Sequence, residues 1–244
     1  MTSAIPPTTA VVLPGTGSDE VFVRSVFSGP LRALGIRLLA PPPPPGDRLA
    51  DGFLEELDRL SGEHGPLLVG GISFGAHLSA EWASRNPGRC TGLLAALPAW
   101  NGPAGRAPAS LAARLSADLV AENGVDGALA KSSDGVPEWL SAELGRAWRR
   151  HGDGLAASLR TAASRPAPAL EDLAGLDVPA GIGACADDPI HPAEVARAWA
   201  AALPRAEVGE STLTALGADR ESLGRATRLE ERLVGTESRF RLSP

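Results

Sequence analysis

The segment around Ser73 constrains this chain more than any other part of its 244 residues. Residues 71–75 read GISFG, so one residue separates the serine from a glycine on each side. The apolar run Pro66–Val69 precedes this segment and a stretch with helical periodicity follows it, which predicts a sharp turn from a strand into a helix. In such a turn the residues two positions from the serine must be small, because larger side chains would collide across the turn.

The pattern G-x-S-x-G between a strand and a helix is typical of a nucleophile elbow, in which the serine hydroxyl projects from the edge of a sheet. The helix that begins there directs its unpaired N–H groups toward the same place. A glycine-rich turn of another kind of α/β protein is the alternative interpretation. A phosphate-binding loop is disfavoured, since no lysine follows Gly75 and the pattern G-x-G-x-x-G is absent.

Composition places limits on partners and location. The chain is 43% hydrophobic and 21% charged, and its length suits a single domain over residues 1–244. The formal charge of −6 argues against nucleic acid or an anionic membrane as a partner. No apolar run reaches the roughly 18 residues of a membrane span, and residues 1–10 lack the features of a signal peptide. We therefore expect a cytoplasmic protein in which Cys90 and Cys185 are free thiols, with neither metal nor organic cofactor.

Strand-like and helix-like segments alternate along the chain, which predicts a doubly wound, mostly parallel sheet. The predicted strands are residues 8–13, 35–40, 67–72, 91–97, 178–184 and 206–213. The predicted helices between and after them include residues 49–60, 76–84, 193–203 and 220–234. Ligands of such sheets bind beyond the carboxyl ends of the strands, where the serine also lies.

Residues 100–170 differ from the rest of the chain. They are rich in alanine, have helical periodicity, are interrupted by glycine and proline, and contain no evident strand. Trp139 and Trp148 fall on one predicted helix, Pro137–Arg150. The segment is interpreted as a helical cap inserted into the domain. The tail, residues 235–244, is expected to be frayed.

With these features in place, the chain resembles the α/β-hydrolase family over nearly its whole length. The resemblance is firmest at residues 14–19, 71–75 and 187–192. It implies an α/β-hydrolase fold of about six strands that lacks the family's first two strands, with a helical cap after the fourth strand.

The resemblance also implies roles for individual residues. Ser73 would be the catalytic nucleophile, and the backbone N–H groups of Thr16 and Phe74 would form the oxyanion hole. Asp188 matches the catalytic acid best, with Asp187 as the alternative. Asp19 is interpreted as a helix cap, with substrate binding as the other possibility.

The catalytic histidine is missing from its usual place. The family carries it in the loop after the last strand, which here spans residues 212–220 and contains no histidine. His64 is predicted at the wrong edge of the sheet, and His151 is expected to be solvated in the cap. His191 follows Asp188 by three residues and is the predicted base. His77, one helical turn below Ser73, is the alternative.

The favoured function is a serine hydrolase acting on an ester or thioester of a small, fairly apolar acid. Trp100 and Trp139 are candidate walls of the substrate pocket, although tryptophans at such spacings are often core residues. One alternative is a non-hydrolytic member of the fold, such as a lyase, isomerase or cyclase. Another is a non-catalytic binding protein that has lost the base. The partner is a small-molecule substrate, and the oligomeric state is left open.

Overall fold

Six parallel strands form one sheet in the computed structural model, which describes residues 8–132 and 135–228. The strands are β1 Thr9–Leu13, β2 Arg37–Leu39, β3 Leu67–Ile72, β4 Cys90–Ala96, β5 Ala180–Cys185 and β6 Ala206–Ser211. Their order across the sheet is β2-β1-β3-β4-β5-β6, and each pairs in parallel with its neighbours. The predicted α/β class and the six parallel strands are confirmed, with small shifts at the strand ends.

Ten α-helices accompany the strands in the described residues. They are α1 Glu20–Ala33, α2 Leu49–His64, α3 Phe74–Arg85, α4 Pro108–Ser132, α5 Glu138–His151, α6 Leu155–Ser164, α7 Leu170–Ala174, α8 Ala193–Ala202, α9 Leu213–Ala218 and α10 Glu221–Ala226. None of these helices combines the length and the apolar character that crossing a membrane requires.

Helices cover both faces of the sheet. Successive side chains of β1 point to opposite faces, and both sets are buried against helices. Val11 and Leu13 belong to one buried apolar cluster, which also contains residues of α2, α3 and α8. Ala10 and Val12 belong to a second cluster, with residues of α1 and α10. A strand buried on both faces has no polar alternation, which is why β1 is apolar throughout.

Helices α4, α5 and α6, between β4 and β5, are called the cap here, after the predicted insertion, and they share a small apolar core. Val120, Trp148 and Leu159 are buried together there. Gly124, at φ 67, interrupts the helical backbone of α4. Helix α7 begins at Leu170, where the predicted insertion of residues 100–170 ends, and Leu173 from this helix is buried in the main core.

The loop after β6 differs from the prediction, because it folds into helix α9. The side chain of Thr212 accepts a hydrogen bond from the Ala215 N–H and begins the helix. The carboxylate of Asp187 accepts a second one from the Leu213 N–H at 2.7 Å. The family's usual position for the histidine is therefore occupied by a capped helix. The predicted helix over residues 220–234 is described only as Glu221–Ala226, and the tail lies outside the described residues.

Candidate active site

Ser73 lies in a strained turn between β3 and α3. Its backbone has φ 53 and ψ −114, a conformation that residues with a Cβ rarely adopt. A side chain at Gly71 would overlap the backbone of Gly75, and a Cβ at Gly75 would lie 2.6 Å from the Pro14 carbonyl oxygen. Both glycines are thus required by close backbone approach, as the sequence pattern predicts.

Three side chains form a continuous hydrogen-bonded chain at this turn. The Nε2 atom of His191 lies 2.9 Å from Oγ of Ser73, and its Nδ1 atom lies 2.8 Å from Oδ2 of Asp188. An ionised carboxylate only accepts hydrogen bonds, so Nδ1 carries the proton and Nε2 accepts from the serine hydroxyl. Ser73 itself is 9% exposed. The structure therefore brings together the three residues predicted as nucleophile, acid and base.

The acid and the base share one short loop after β5. Besides His191 Nδ1, Asp188 accepts the backbone N–H groups of Ile190 at 2.8 Å and of His191 at 3.1 Å. Burial raises the pKa of Asp188, but the hydrogen bonds and charge of His191 together with the backbone donors outweigh it, so that the net pKa is lowered. Asp187 is exposed and caps α9 instead. Of the two candidate acids, Asp188 is the one that contacts the histidine.

The other histidines have different environments. His77 is 2% exposed, and its Nε2 accepts the backbone N–H of Ala99 at 3.0 Å. It is therefore a hydrogen-bonded interior residue below the elbow. His64 is exposed at the end of α2. The expectation that His151 is solvated is wrong, because it is half-buried and its Nε2 lies 3.0 Å from the carbonyl oxygen of Ser18.

The burial of His77 makes the free energy of unfolding depend on pH in a way that can be measured. Burial, with a smaller effect from His191, lowers its pKa from 6.5 to about 3, so the folded protein keeps this ring neutral while the unfolded chain protonates it. The stability due to neutral His77 is complete above pH 6.5 and is lost as the pH falls toward 3. Between pH 7 and pH 5 this loss amounts to about 2 kcal/mol.

Urea unfolding of wild type and His77→Gln at these two pH values measures the effect. We expect the variant to lose about 2 kcal/mol less than the wild type between them. His64→Gln, an exposed substitution, should retain the wild-type pH dependence. Equal pH dependence in wild type and His77→Gln would contradict the buried neutral ring.

The loop after β1 approaches the elbow from the neighbouring strand. A Cβ on Gly15 would lie 3.4 Å from Cβ of Ser73, so the two segments are in close contact. The Ser18 N–H donates to the Gly15 carbonyl at 3.1 Å and closes a turn in which Thr16 occupies the second position. Phe74 is the first residue of α3, where a backbone N–H has no acceptor within the helix. Asp19 is the N-cap of α1, as predicted.

The two candidate pocket tryptophans have separate surroundings. Trp100 is 6% exposed and its ring lies 4.6 Å from that of His77, close below the elbow. Trp139 lies on α5, with the Arg220 guanidinium 4.4 Å from its ring centroid and Gly217 against its ring nitrogen. A role in substrate binding stays a prediction for both residues.

Metal ligands and reactive thiols are two other kinds of group that a site at this edge of the sheet could use. In residues 8–132 and 135–228, no three His, Cys, Asp or Glu side chains are placed to hold a metal ion. Cys185 is buried, and burial with the nearby charges of Asp188 and Asp187 raises the pKa of its thiol to about 12. A thiol with so high a pKa is a poor nucleophile at neutral pH.

Comparison with known proteins gives matches by structure only. No protein-family model matches the sequence, and no curated protein matches it. A thermophilic esterase from Thermogutta terrifontis superposes with a TM-score of 0.68 at 18% identity, covering 94% of this chain and 90% of the esterase. A carboxylesterase of Nitrososphaera gargenis gives 0.70 at 12% identity, covering 96% and 90%. The enol-lactonase from Burkholderia xenovorans LB400 gives 0.64 at 16% identity, covering 85% and 84%.

The three superpositions cover between 85% and 96% of this chain. The chain has the α/β-hydrolase fold. At these identities the likeness concerns the fold, while what the site does must be argued from its own residues.

Proposed function

We propose that the protein is a serine hydrolase that cleaves esters or thioesters through an acyl-enzyme on Ser73. The observation that carries the proposal is the unbroken pair of contacts from Ser73 Oγ to His191 Nε2 and from His191 Nδ1 to Asp188, at 2.9 and 2.8 Å. A nucleophile, a base and an orienting acid in hydrogen-bond contact are what acyl transfer by a serine requires.

In the first half of the reaction, Ser73 Oγ attacks the carbonyl carbon of the substrate while His191 Nε2 takes the hydroxyl proton. The carbonyl oxygen becomes an oxyanion, which accepts hydrogen bonds from the backbone N–H groups of Thr16 and Phe74. Asp188 stabilises the imidazolium without taking its proton. Nε2 then gives the proton to the departing alcohol or thiol, and the acyl group stays on Oγ.

In the second half, a water molecule replaces the leaving group. His191 takes a proton from the water, whose oxygen attacks the acyl carbon, and a second oxyanion forms in the same position. When this intermediate collapses, the bond to Ser73 Oγ breaks and His191 returns the proton to the serine. The free acid leaves, and the three residues regain their starting protonation states.

A small, fairly apolar acyl group is the substrate that the surroundings favour. Trp100 follows β4 by four residues and is buried in an apolar cluster with Ala99, Ala104 and Ala167. If an acyl group packs against Trp100, burial of hydrocarbon there is favourable, whereas a charged acyl group would lose its hydration. An esterase, a carboxylesterase and an enol-lactonase among proteins of similar fold are consistent with ester chemistry at this site.

Hydrolysis of p-nitrophenyl esters with acyl chains of two to about twelve carbons tests the function, together with acyl thioesters of the same series. We expect turnover that is highest for short chains, as the proposal of a small acyl group requires. Failure of the purified, folded protein to hydrolyse any ester or thioester of the series would contradict the proposal.

A further inference from the structure

Side chains of the cap helix α5 form ion pairs and hydrogen bonds with the loop that follows β1. Arg146 donates from Nε and Nη2 to both carboxylate oxygens of Asp19, at 3.0 and 2.7 Å. One turn further along α5, Arg150 pairs with Glu20 and the ring of His151 meets the carbonyl oxygen of Ser18. The contacts join residues more than a hundred positions apart in the sequence, at one short loop.

The pair of Asp19 and Arg146 is the best-defined of these contacts. The Asp19 side chain is fully buried, and its Oδ1 also accepts the N–H groups of Val21 and Phe22 at 3.1 Å each. Burial raises the pKa of Asp19, but Arg146 and the two backbone donors outweigh it and hold the net pKa below its usual value. The third nitrogen of the same guanidinium, Nη1, lies 2.6 Å from Oε2 of Glu143. Such a bidentate pair fixes orientation as well as distance.

The ion pair adjoins the turn that carries Thr16. Gly15 and Ser18 close this turn, and Gly17 within it has φ 65. Trp148 of α5 packs closely against the turn: a Cβ on Gly17 would lie 2.9 Å from the ring nitrogen of Trp148. The elbow contacts the same turn at Gly15, where a Cβ would lie 3.4 Å from Cβ of Ser73. The direction of the Thr16 N–H therefore depends on a turn held between the cap and the nucleophile.

We infer that Arg146 is a positioning residue for the oxyanion hole: through Asp19 it fixes the turn from which the Thr16 N–H would meet the oxyanion. The inference rests on the proposed function, because it concerns the same site. Arg149 provides a natural contrast on the same helix. It pairs with Asp126 at the surface, where the two side chains are 61% and 80% exposed.

Kinetics of Arg146→Met and Arg149→Met on a short-chain ester test the inference. An oxyanion donor acts only in the transition state, so a displaced donor lowers kcat and leaves KM nearly unchanged. We expect Arg146→Met to lower kcat about tenfold or more, a part of what complete loss of one donor removes. Arg149→Met should retain wild-type kcat. Arg146→Lys should recover only part of the loss, because an ammonium group cannot form the bidentate contact.

Asp19→Asn provides a second variant that keeps the helix cap but removes the charge of the pair. We expect the same loss of kcat as in Arg146→Met, and no further loss when the two are combined, because both break one interaction. Additive losses in the double variant, or equal losses in Arg146→Met and Arg149→Met, would overturn the inference.

Amide hydrogen exchange separates this inference from the proposed function. Peptides that cover residues 14–19 should exchange faster in Arg146→Met than in wild type, and at the wild-type rate in Arg149→Met. If the wild type hydrolyses no ester, the proposed function fails, and the exchange measurement still decides whether Arg146 holds the turn. Unchanged exchange in Arg146→Met would overturn the inference whatever the activity.

Discussion

The Ser73→Ala variant is expected to hydrolyse a short-chain ester at least about 10³-fold more slowly than the wild type. Without Oγ no acyl-enzyme can form, and only the oxyanion donors and substrate binding remain to accelerate attack by water. The variant should fold normally, because alanine is smaller than serine and introduces no new contact at the turn. Initial rates and thermal unfolding of the same preparations give both readouts.

Ser84→Ala is the matched control for this substitution. Ser84 lies on α3, the helix that Ser73 precedes, but it is exposed and donates to the Ala80 carbonyl of its own helix. Its loss should leave the hydrolysis rate within about twofold of wild type, as is usual for an exposed position. Ester hydrolysis that continues undiminished in folded Ser73→Ala would exclude Ser73 as the nucleophile.

The second large effect is expected for the histidine. His191→Ala should lower kcat by roughly 10³- to 10⁴-fold, since the serine then has no base in hydrogen-bond contact. His77→Gln should lower it by less than about tenfold, because His77 bonds to the Ala99 N–H and has no part in the proton transfer described above. Rates of both variants on one ester, with thermal unfolding as a check on folding, make the comparison. The reverse order of effects would identify His77 as the base.

Much of the fold follows from local sequence pattern. Strands buried on both faces must be apolar without alternation, so β1, β3 and β5 are recognisable in the sequence. The elbow is recognisable because only glycine tolerates the close backbone approach at positions 71 and 75. The packing of α7 was less predictable, because helical periodicity alone does not show that Leu173 is buried in the main core rather than with Val120, Trp148 and Leu159.

Parts of the candidate site were also accessible from the sequence. The spacing of three residues between Asp188 and His191 lets one turn hold both, and its position after β5 places it at the carboxyl edge of the sheet. The choice between Asp187 and Asp188 needed the structure, since adjacent residues in a loop point in directions that a pattern does not encode. The same is true of α9, whose cap includes Asp187 from a distant loop.

Contacts between distant segments were the part that pattern reasoning missed. Arg146 and Asp19 are 127 positions apart, and on sequence alone Arg146 is one of several arginines on a helix rich in charge. His151 was placed in solvent for the same reason, because its partner is the Ser18 carbonyl of another segment. Helical periodicity indicates which face of α5 is apolar, but not which loop its polar residues meet.

The central claim is that Ser73 is an activated nucleophile, and labelling with a fluorophosphonate tests it most directly. Such a reagent modifies a serine whose hydroxyl proton a neighbouring base can take. Intact mass of the wild type should show one adduct, with peptide mapping placing it on Ser73. The adduct should be absent from Ser73→Ala and should form far more slowly in His191→Ala. A folded wild type that stays unmodified, or an adduct that persists in Ser73→Ala, would contradict the claim.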